Sequence, residues 1–177
     1  MAAFFTADTH FGDHRTLNIH RRPFASAAEM DEALVARWNA VVGSQDEVWH
    51  LGDVARKGEA VAGLLARLHG TKHLLRGNND LDATAAAAGW ASVGDYAEIE
   101  LDGRRLVLCH YPFRSWNGQH KGAINLHGHS HGRLKPMPRQ FDVGVDVHGF
   151  APITLAALID GTRAAAGRSS HDKELHA

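Results

Sequence analysis

In its second half the chain reads Asn125-Leu126-His127-Gly128-His129-Ser130-His131-Gly132. Three imidazoles alternate here, with glycines where the backbone must turn or come close to another group. Composition alone leaves two readings open, a polar surface loop or a metal-binding edge. The decision comes from upstream, where Asp8-Thr9-His10, Gly52-Asp53, Gly77-Asn78 and Cys109-His110 each follow an apolar run that reads as a buried strand. Strands that repeatedly deliver a carboxylate, amide or imidazole at one end build a single polar face from distant pieces. That is the habit of an α/β fold, which places its ligands at the carboxyl ends of its strands.

The segments between these blocks fit that class. Ala2 to Ala7 is short and rich in phenylalanine, as a central strand should be, and Glu47 to Leu51 and Lys72 to Leu75 repeat the pattern. Ser26 and Glu29 form a capping box for a helix over residues 27–42, with Met30, Leu34, Val35 and Trp38 on one face and Gly43 as its stop. Further helices are expected at about Gly58 to Leu68 and Leu81 to Ala88. Phe11 to Ala25 lacks periodicity and holds His14, Arg15, His20, Arg21 and Arg22, so it is expected as a long loop beside the site.

From Tyr96 the pattern changes. Two alternating runs flank Asp102-Gly103, the signature of a hairpin, and the second run delivers Cys109-His110. Tyr111 to Gly122 reads as a second loop, Ile124 to His127 as a short strand, and Phe141 to Val147 as a strand near an edge. Ile153 to Ile159 fits strand or helix equally. The expected organisation is one domain over residues 1–160 and a flexible tail over 161–177, in which His171 and His176 have no assigned role.

Bulk properties narrow the function. The 177 residues are 44% hydrophobic, enough to bury a core without staples, and the formal net charge of -1 supplies no broad cationic field for nucleic acid or membrane. With one cysteine, Cys109, no disulfide closes within the chain and any metal must be held by nitrogen and oxygen. Cys109 reads as a small buried strand residue. The N-terminus has no basic segment before its short apolar run, and no apolar stretch approaches the roughly 18 residues of a membrane span, so a cytoplasmic protein is expected.

Asp8, His10, Asp53, Asn78, His110, His129 and His131 are too many ligands for one tetrahedral zinc and suit two divalent ions sharing a carboxylate. The order Asp-x-His, Gly-Asp, Gly-Asn, lone His, Gly-His-x-His resembles the calcineurin-like metallophosphoesterase superfamily over about residues 3–159. Asp8-Thr9-His10-Phe11-Gly12, Arg22-Pro23-Phe24, Arg37-Trp38-Asn39 and Trp49-His50-Leu51-Gly52-Asp53 look like its small, stand-alone bacterial branch. The resemblance implies a four-layer α/β/β/α sandwich. It also implies one metal on Asp8, His10, Asp53 and His131, and a second on Asp53, Asn78, His110 and His129.

Two divalent ions, two carboxylates and a bridging hydroxide leave a net charge of about +1, which attracts a phosphate oxygen while the ions activate the attacking water. Manganese, iron, zinc, cobalt and nickel all suit these ligands. Asp53, Asn79 and Asp80 are the candidate catalytic residues, and Asp80 and His50 each either orient ligands or serve as structural hydrogen-bonding residues.

One departure from the superfamily matters. Many members follow Gly-Asn with a histidine that assists leaving-group departure, whereas this chain has Asn79, which donates a hydrogen bond but does not protonate an alkoxide at neutral pH. A preference for phosphodiesters or activated esters over simple monoesters is therefore expected, unless His14 or His120 supplies the acid. Arg22, Arg114, His14 and His120 are candidate substrate contacts; the loop arginines Arg15, Arg21, Arg22 and Arg114 either contact a second phosphate or the leaving group or are solvated or structural, and Tyr111 and Trp116 either stack a base or bury an edge. A small phosphate ester is the expected substrate, nucleic-acid ends the alternative, and no membrane partner is expected. A silent interaction module would have lost ligands, yet all seven are present; a storage site would not need five strand ends.

Overall fold

In the computed structural model, residues 1–161 are described, and two sheets face each other. The first is built from β1 (Ala3–Thr6), β2 (Glu47–His50), β3 (Thr71–Leu75), β4 (Trp90–Gly94) and β9 (Ile153–Thr154), in the order β4-β3-β2-β1-β9. β1 to β4 are mutually parallel and β9 closes the edge antiparallel to β1. The second sheet runs β5 (Tyr96–Leu101), β6 (Arg104–Cys109), β7 (Ile124–His127), β8 (Gln140–Asp142), with an antiparallel hairpin β5-β6 followed by parallel pairs.

Alternation of side chains sorts the core. Phe4 and Val48 face one way, with Leu74, against Met30, Leu34 and Trp38 of α2 (Ala27–Val41) and Val61 and Leu65 of α3 (Val61–Arg67). Phe5 faces the other way and packs with Leu106, Leu108, Ile124 and Leu126 between the sheets. Val107, Trp116 and Ala123 make a third cluster on the outer face of the second sheet, so the layer there is the 111–123 loop. Trp116 is buried and donates to the carbonyl of Ala123 at 2.9 Å, which removes it from the candidates for base stacking.

The capping box at α2 is present, with Ser26 accepting from the Glu29 amide at 3.1 Å, but the Glu29 carboxylate reaches back to the amide of Ala25. Val42 in extended conformation caps the helix end, where Gly43 was expected. The long loop after β1 contains one short helix, α1 (Arg15–Ile19). The alanine-rich run makes only α4 (Asp82–Ala85), because Gly89 at φ 114° turns the chain into β4, an edge strand with too little apolar alternation to be read from sequence.

The segment expected as a strand from 141 to 147 is strand only to Asp142. It then leaves the second sheet through Gly144, whose neighbour Val145 donates to Ala7 at 3.0 Å, and turns in a single 3₁₀ turn over Val145–Val147. Residues 153–159 are both alternatives in succession, strand at 153–154 and helix over 155–161. Residues 162–177, with His171 and His176, lie outside the described residues. Among the described residues no helix is long and apolar enough to cross a membrane.

Candidate metal centre

The carboxyl ends of β1, β2, β3, β6 and β7 point to one edge of the sandwich, and the chain leaving each carries one block of the candidate ligands. The loops after β1 and β2 are tied to each other: Asp8 N donates to Gly52 O at 2.9 Å, His10 N to Asp53 O at 3.0 Å and Phe11 N to Val54 O at 2.9 Å. Gly52, at φ 90°, passes so close to the next loop that a Cβ there would lie 2.6 Å from Gly77 Cα and 2.8 Å from His110 Nδ1.

Backbone strain concentrates at this edge. Asp8, His10, Asp53, His129 and His131 all have positive φ, between 48° and 67°. A left-handed conformation costs about 1–2 kcal/mol for a residue with a side chain, and strain of this kind clusters where function over-determines the geometry.

The seven side chains meet in two groups either side of Asp53. On one side His10 Nε2 lies 3.6 Å from Asp53 Oδ2, and His131 Nε2 lies 3.9 Å from Asp8 Oδ1. On the other, His110 Nε2 lies 3.7 Å from Asp53 Oδ1 and 3.1 Å from Asn78 Oδ1, which is itself 2.9 Å from His129 Nδ1. Each oxygen of the Asp53 carboxylate thus faces a different group.

The donor set fits divalent cations. Asp8 Oδ1 and His10 Nε2 are buried with no hydrogen-bond partner, and one ligand atom from each of Asp8, His10 and Asp53 lies within 4.8 Å of the others. Burial, with Asp53 and the nearby Asp142 and Asp146 adding repulsion, pushes the Asp8 carboxyl well above the usual range. Burial also pushes His10 down to about 4, leaving a neutral imidazole with a free lone pair. A cation placed there would relieve all of these at once.

Supporting bonds fix which nitrogen each histidine offers. His110 donates from Nδ1 to Leu51 O at 2.7 Å and His131 from Nδ1 to Asp146 Oδ2 at 2.7 Å, so Nε2 is the free atom in both. Asp146 is held in turn by a buried bidentate pair with Arg22, whose Nε and Nη2 each lie 2.8 Å from a carboxylate oxygen. Burial would raise the Asp146 carboxyl, but hydrogen bonds from His131 and Arg22 hold it well below the ordinary range. Arg22 further donates to Thr9 O at 2.8 Å and Asp8 O at 2.6 Å, and its side chain is 0% exposed. The expectation that Arg22 contacts substrate is therefore corrected: it braces the β1 loop and, through Asp146, His131.

Two candidate catalytic residues have the same kind of place. Asn79 holds Asp53 twice, from its amide N to Oδ1 at 2.8 Å and from Nδ2 to Oδ2 at 2.6 Å. Asp80 accepts from the amides of Asp53, Val54 and Gly77, each at 2.8 Å, joining the β2 and β3 loops. Both thus bond Asp53, Asn79 at its carboxylate and Asp80 at its backbone amide. His50 is buried under the loop and bonds the Thr9 hydroxyl at 2.9 Å.

His127 turns away from the ligands, donating from Nδ1 to Gly128 O at 2.8 Å, while Asp142 clamps the loop that carries His129 and His131 through Ser130 Oγ at 2.6 Å and Gly132 N at 2.8 Å. His14, Arg114 and His120 are exposed. Tyr111 sits at the rim with its ring 4.8 Å from that of His129.

Sequence reasoning passed over His20 and Asp146. His20 stacks on His131 at 3.6 Å between ring centroids and offers a nitrogen within 4.8 Å of those of His10 and His131. A histidine in a polar loop has no local mark that separates it from His14. Asp146 had only its place in an alternating run, which suggested a strand.

Comparison with known proteins gives the family and the fold. The family model described as the calcineurin-like phosphoesterase superfamily domain matches residues 1–141. The chain is 29% identical to an uncharacterized protein of Methanocaldococcus jannaschii over 167 residues, 88% of each chain. It is 31% identical to the gene 66 protein of Mycobacterium phage D29 over 185 residues, 85% of this chain and 91% of that one. The fold is shared with a solved protein of unknown function from Aquifex aeolicus, with a TM-score of 0.71 at 22% identity, over 90% of this chain and 98% of the other.

Proposed function

The chain belongs to the calcineurin-like phosphoesterase superfamily, and from that premise we propose that its ligand face holds two divalent metal ions and hydrolyses phosphodiesters in preference to simple phosphomonoesters. The observation that carries the two-metal reading is the Asp53 carboxylate, with one oxygen 3.6 Å from His10 Nε2 and the other 3.7 Å from His110 Nε2. Asp8, His10, Asp53 and His131 would hold one ion, and Asp53, Asn78, His110 and His129 the other. Bound there, the pair would polarise a phosphoryl oxygen and supply a water nucleophile at neutral pH.

The chain's own residues do the rest. Asn79 keeps both Asp53 oxygens in place, and Asp80 locks the loop that presents them. Asp146 and the Leu51 carbonyl hold His131 and His110 in the tautomer whose Nε2 is free. Diester preference rests on Asn79, whose amide is spent on Asp53 and offers no proton to a departing alkoxide. A diester with an acidic leaving group needs none.

His20 favours a second reading. It lies beside His10 and His131 outside the ligand set; burial pushes it down to about 4, so at neutral pH it would serve a monoester leaving group as a neutral N–H donor. Turnover of bis-p-nitrophenyl phosphate and of glycerol 2-phosphate, an alkyl monoester whose leaving group needs a proton, at matched manganese loading separates the two. The diester reading expects faster diester turnover and a gain in monoester turnover in Asn79→His. Faster monoester turnover that collapses in His20→Gln would replace it with the second reading.

A further inference from the structure

Beside the ligand face lies a cavity of about 380 Å³ that shares His10 and Asn79 with it and is lined beyond them by Asp13, Arg15, Arg56 and Lys57. Three cations against one carboxylate leave +2 on this wall. The carboxylate is a scaffold and not a competitor for the ligand. Asp13 is nearly buried, its side chain 5% exposed, and takes Arg15 through Nε at 2.9 Å and Nη2 at 2.6 Å, with Arg56 Nη1 at 3.7 Å. Hydrogen bonding from Arg15 holds its carboxyl down to about 2 against the effect of burial, so it stays ionised throughout the neutral range. Two guanidinium groups that would repel each other are thereby pinned on one anion. Their side chains remain 53% and 41% exposed, and Lys57 is exposed beside them.

We propose that this cavity is an anion subsite that takes a second phosphate of the substrate, on the same molecule as the ester that is cleaved. The inference rests on the hydrolase reading and gives it a substrate class, phosphoesters that carry another phosphate. A guanidinium fixed by one carboxylate keeps N–H groups free for phosphate oxygens and loses little further freedom on binding. Exposed charges act over about 8 Å at physiological ionic strength, so the cations select for an anion held close to the scissile group. An ester without one gains nothing from the wall, and a cationic leaving group is repelled.

The test uses thymidine 5′-(p-nitrophenyl phosphate) and the same compound bearing a 3′-phosphate, a pair that differs by one phosphate. With manganese, the full chain should show roughly tenfold higher kcat/KM for the phosphorylated ester, expressed in KM, as expected for two exposed cations. The Arg56→Ala/Lys57→Ala variant should bring the ratio of the two kcat/KM values close to one, and raising salt should do the same to the parent chain without any mutation. Oligothymidylate as a competitor distinguishes the sources of the second phosphate: competition in proportion to its phosphates points to a strand, and none points to a small bisphosphate. Calorimetry with thymidine 3′,5′-bisphosphate needs no turnover and should show about tenfold weaker binding in the double variant. Equal turnover of both esters by the parent chain, or an unchanged ratio in the variant, overturns the subsite. No turnover of either ester, with binding that still depends on the two cations, sinks the hydrolase reading and leaves the subsite standing.

Discussion

Replacing Arg22 by alanine removes a guanidinium that is 0% exposed and makes four short hydrogen bonds, two to Asp146 and one each to the carbonyls of Asp8 and Thr9. The Asp146 carboxylate, 10% exposed, keeps its hydrogen bond from His131 Nδ1 but loses the guanidinium, and two loop carbonyls lose their donors. Breaking a buried ion pair from one side costs about 3–5 kcal/mol. For a chain of this length that is a fall in Tm of roughly 6–20 °C. Because His131 is aligned by Asp146, manganese affinity should also fall, by about 10–100-fold as for other residues that orient a metal-binding histidine. Urea denaturation of the chelated chain measures the first effect, and calorimetric manganese titration the second. In Arg22→Ala/Asp146→Ala the loss should be smaller than the sum of the single losses. A stability change under about 1 kcal/mol, with normal metal affinity and a raised KM, would refute this account and return Arg22 to the substrate.

Three further outcomes follow from the same geometry. Gly128→Ala places a Cβ 2.5 Å from that of Ala7 and 2.8 Å from Asp8 Oδ2, so it should cost about 1–3 kcal/mol in denaturant and weaken metal binding; parent-like values in both would contradict the packing at β7. Burial pushes His50 down to about 3 from its ordinary 6.5, so between those values the unfolded chain takes up a proton that the folded chain does not. Stability should then fall as pH falls below 6.5, by about 1.4 kcal/mol per unit from this residue, and His50→Phe should flatten the slope by that amount; an unchanged slope would contradict it. Asn79→His should gain monoester activity while losing part of its hold on Asp53, seen as weaker metal binding; a gain with unaltered metal binding would show that Asn79 does not position the carboxylate.

What could be read from the sequence was whatever local chemistry writes into consecutive residues. Apolar runs that end in Asp8, Asp53, Asn78 and His110 announce buried strands and the face they serve, and the Asp102-Gly103 turn announces the hairpin. The order of the ligand blocks was enough for the family. What the sequence hid depends on contacts between distant residues. Arg22 and Asp146 are 124 positions apart, and nothing near either one says that they share a buried ion pair. His20 reaches His131 only because α1 returns the loop to the site. The segment after β8 was misread as continuous strand because its alternation persists while its backbone changes sheets at Gly144. Arg15 was one of four loop arginines that could meet a second phosphate, and only the structure separates it from the others, by the Asp13 that pairs it with Arg56.

The central claim is that Asp53 joins two metal ions in one site. Its most direct test is the metal content of the manganese-reconstituted chain and of Asp53→Asn after removal of free ions. The account predicts two ions per chain in the parent and the loss of both in the variant, because each Asp53 oxygen serves a different ligand group. One ion in the parent, or two retained in the variant, would contradict it.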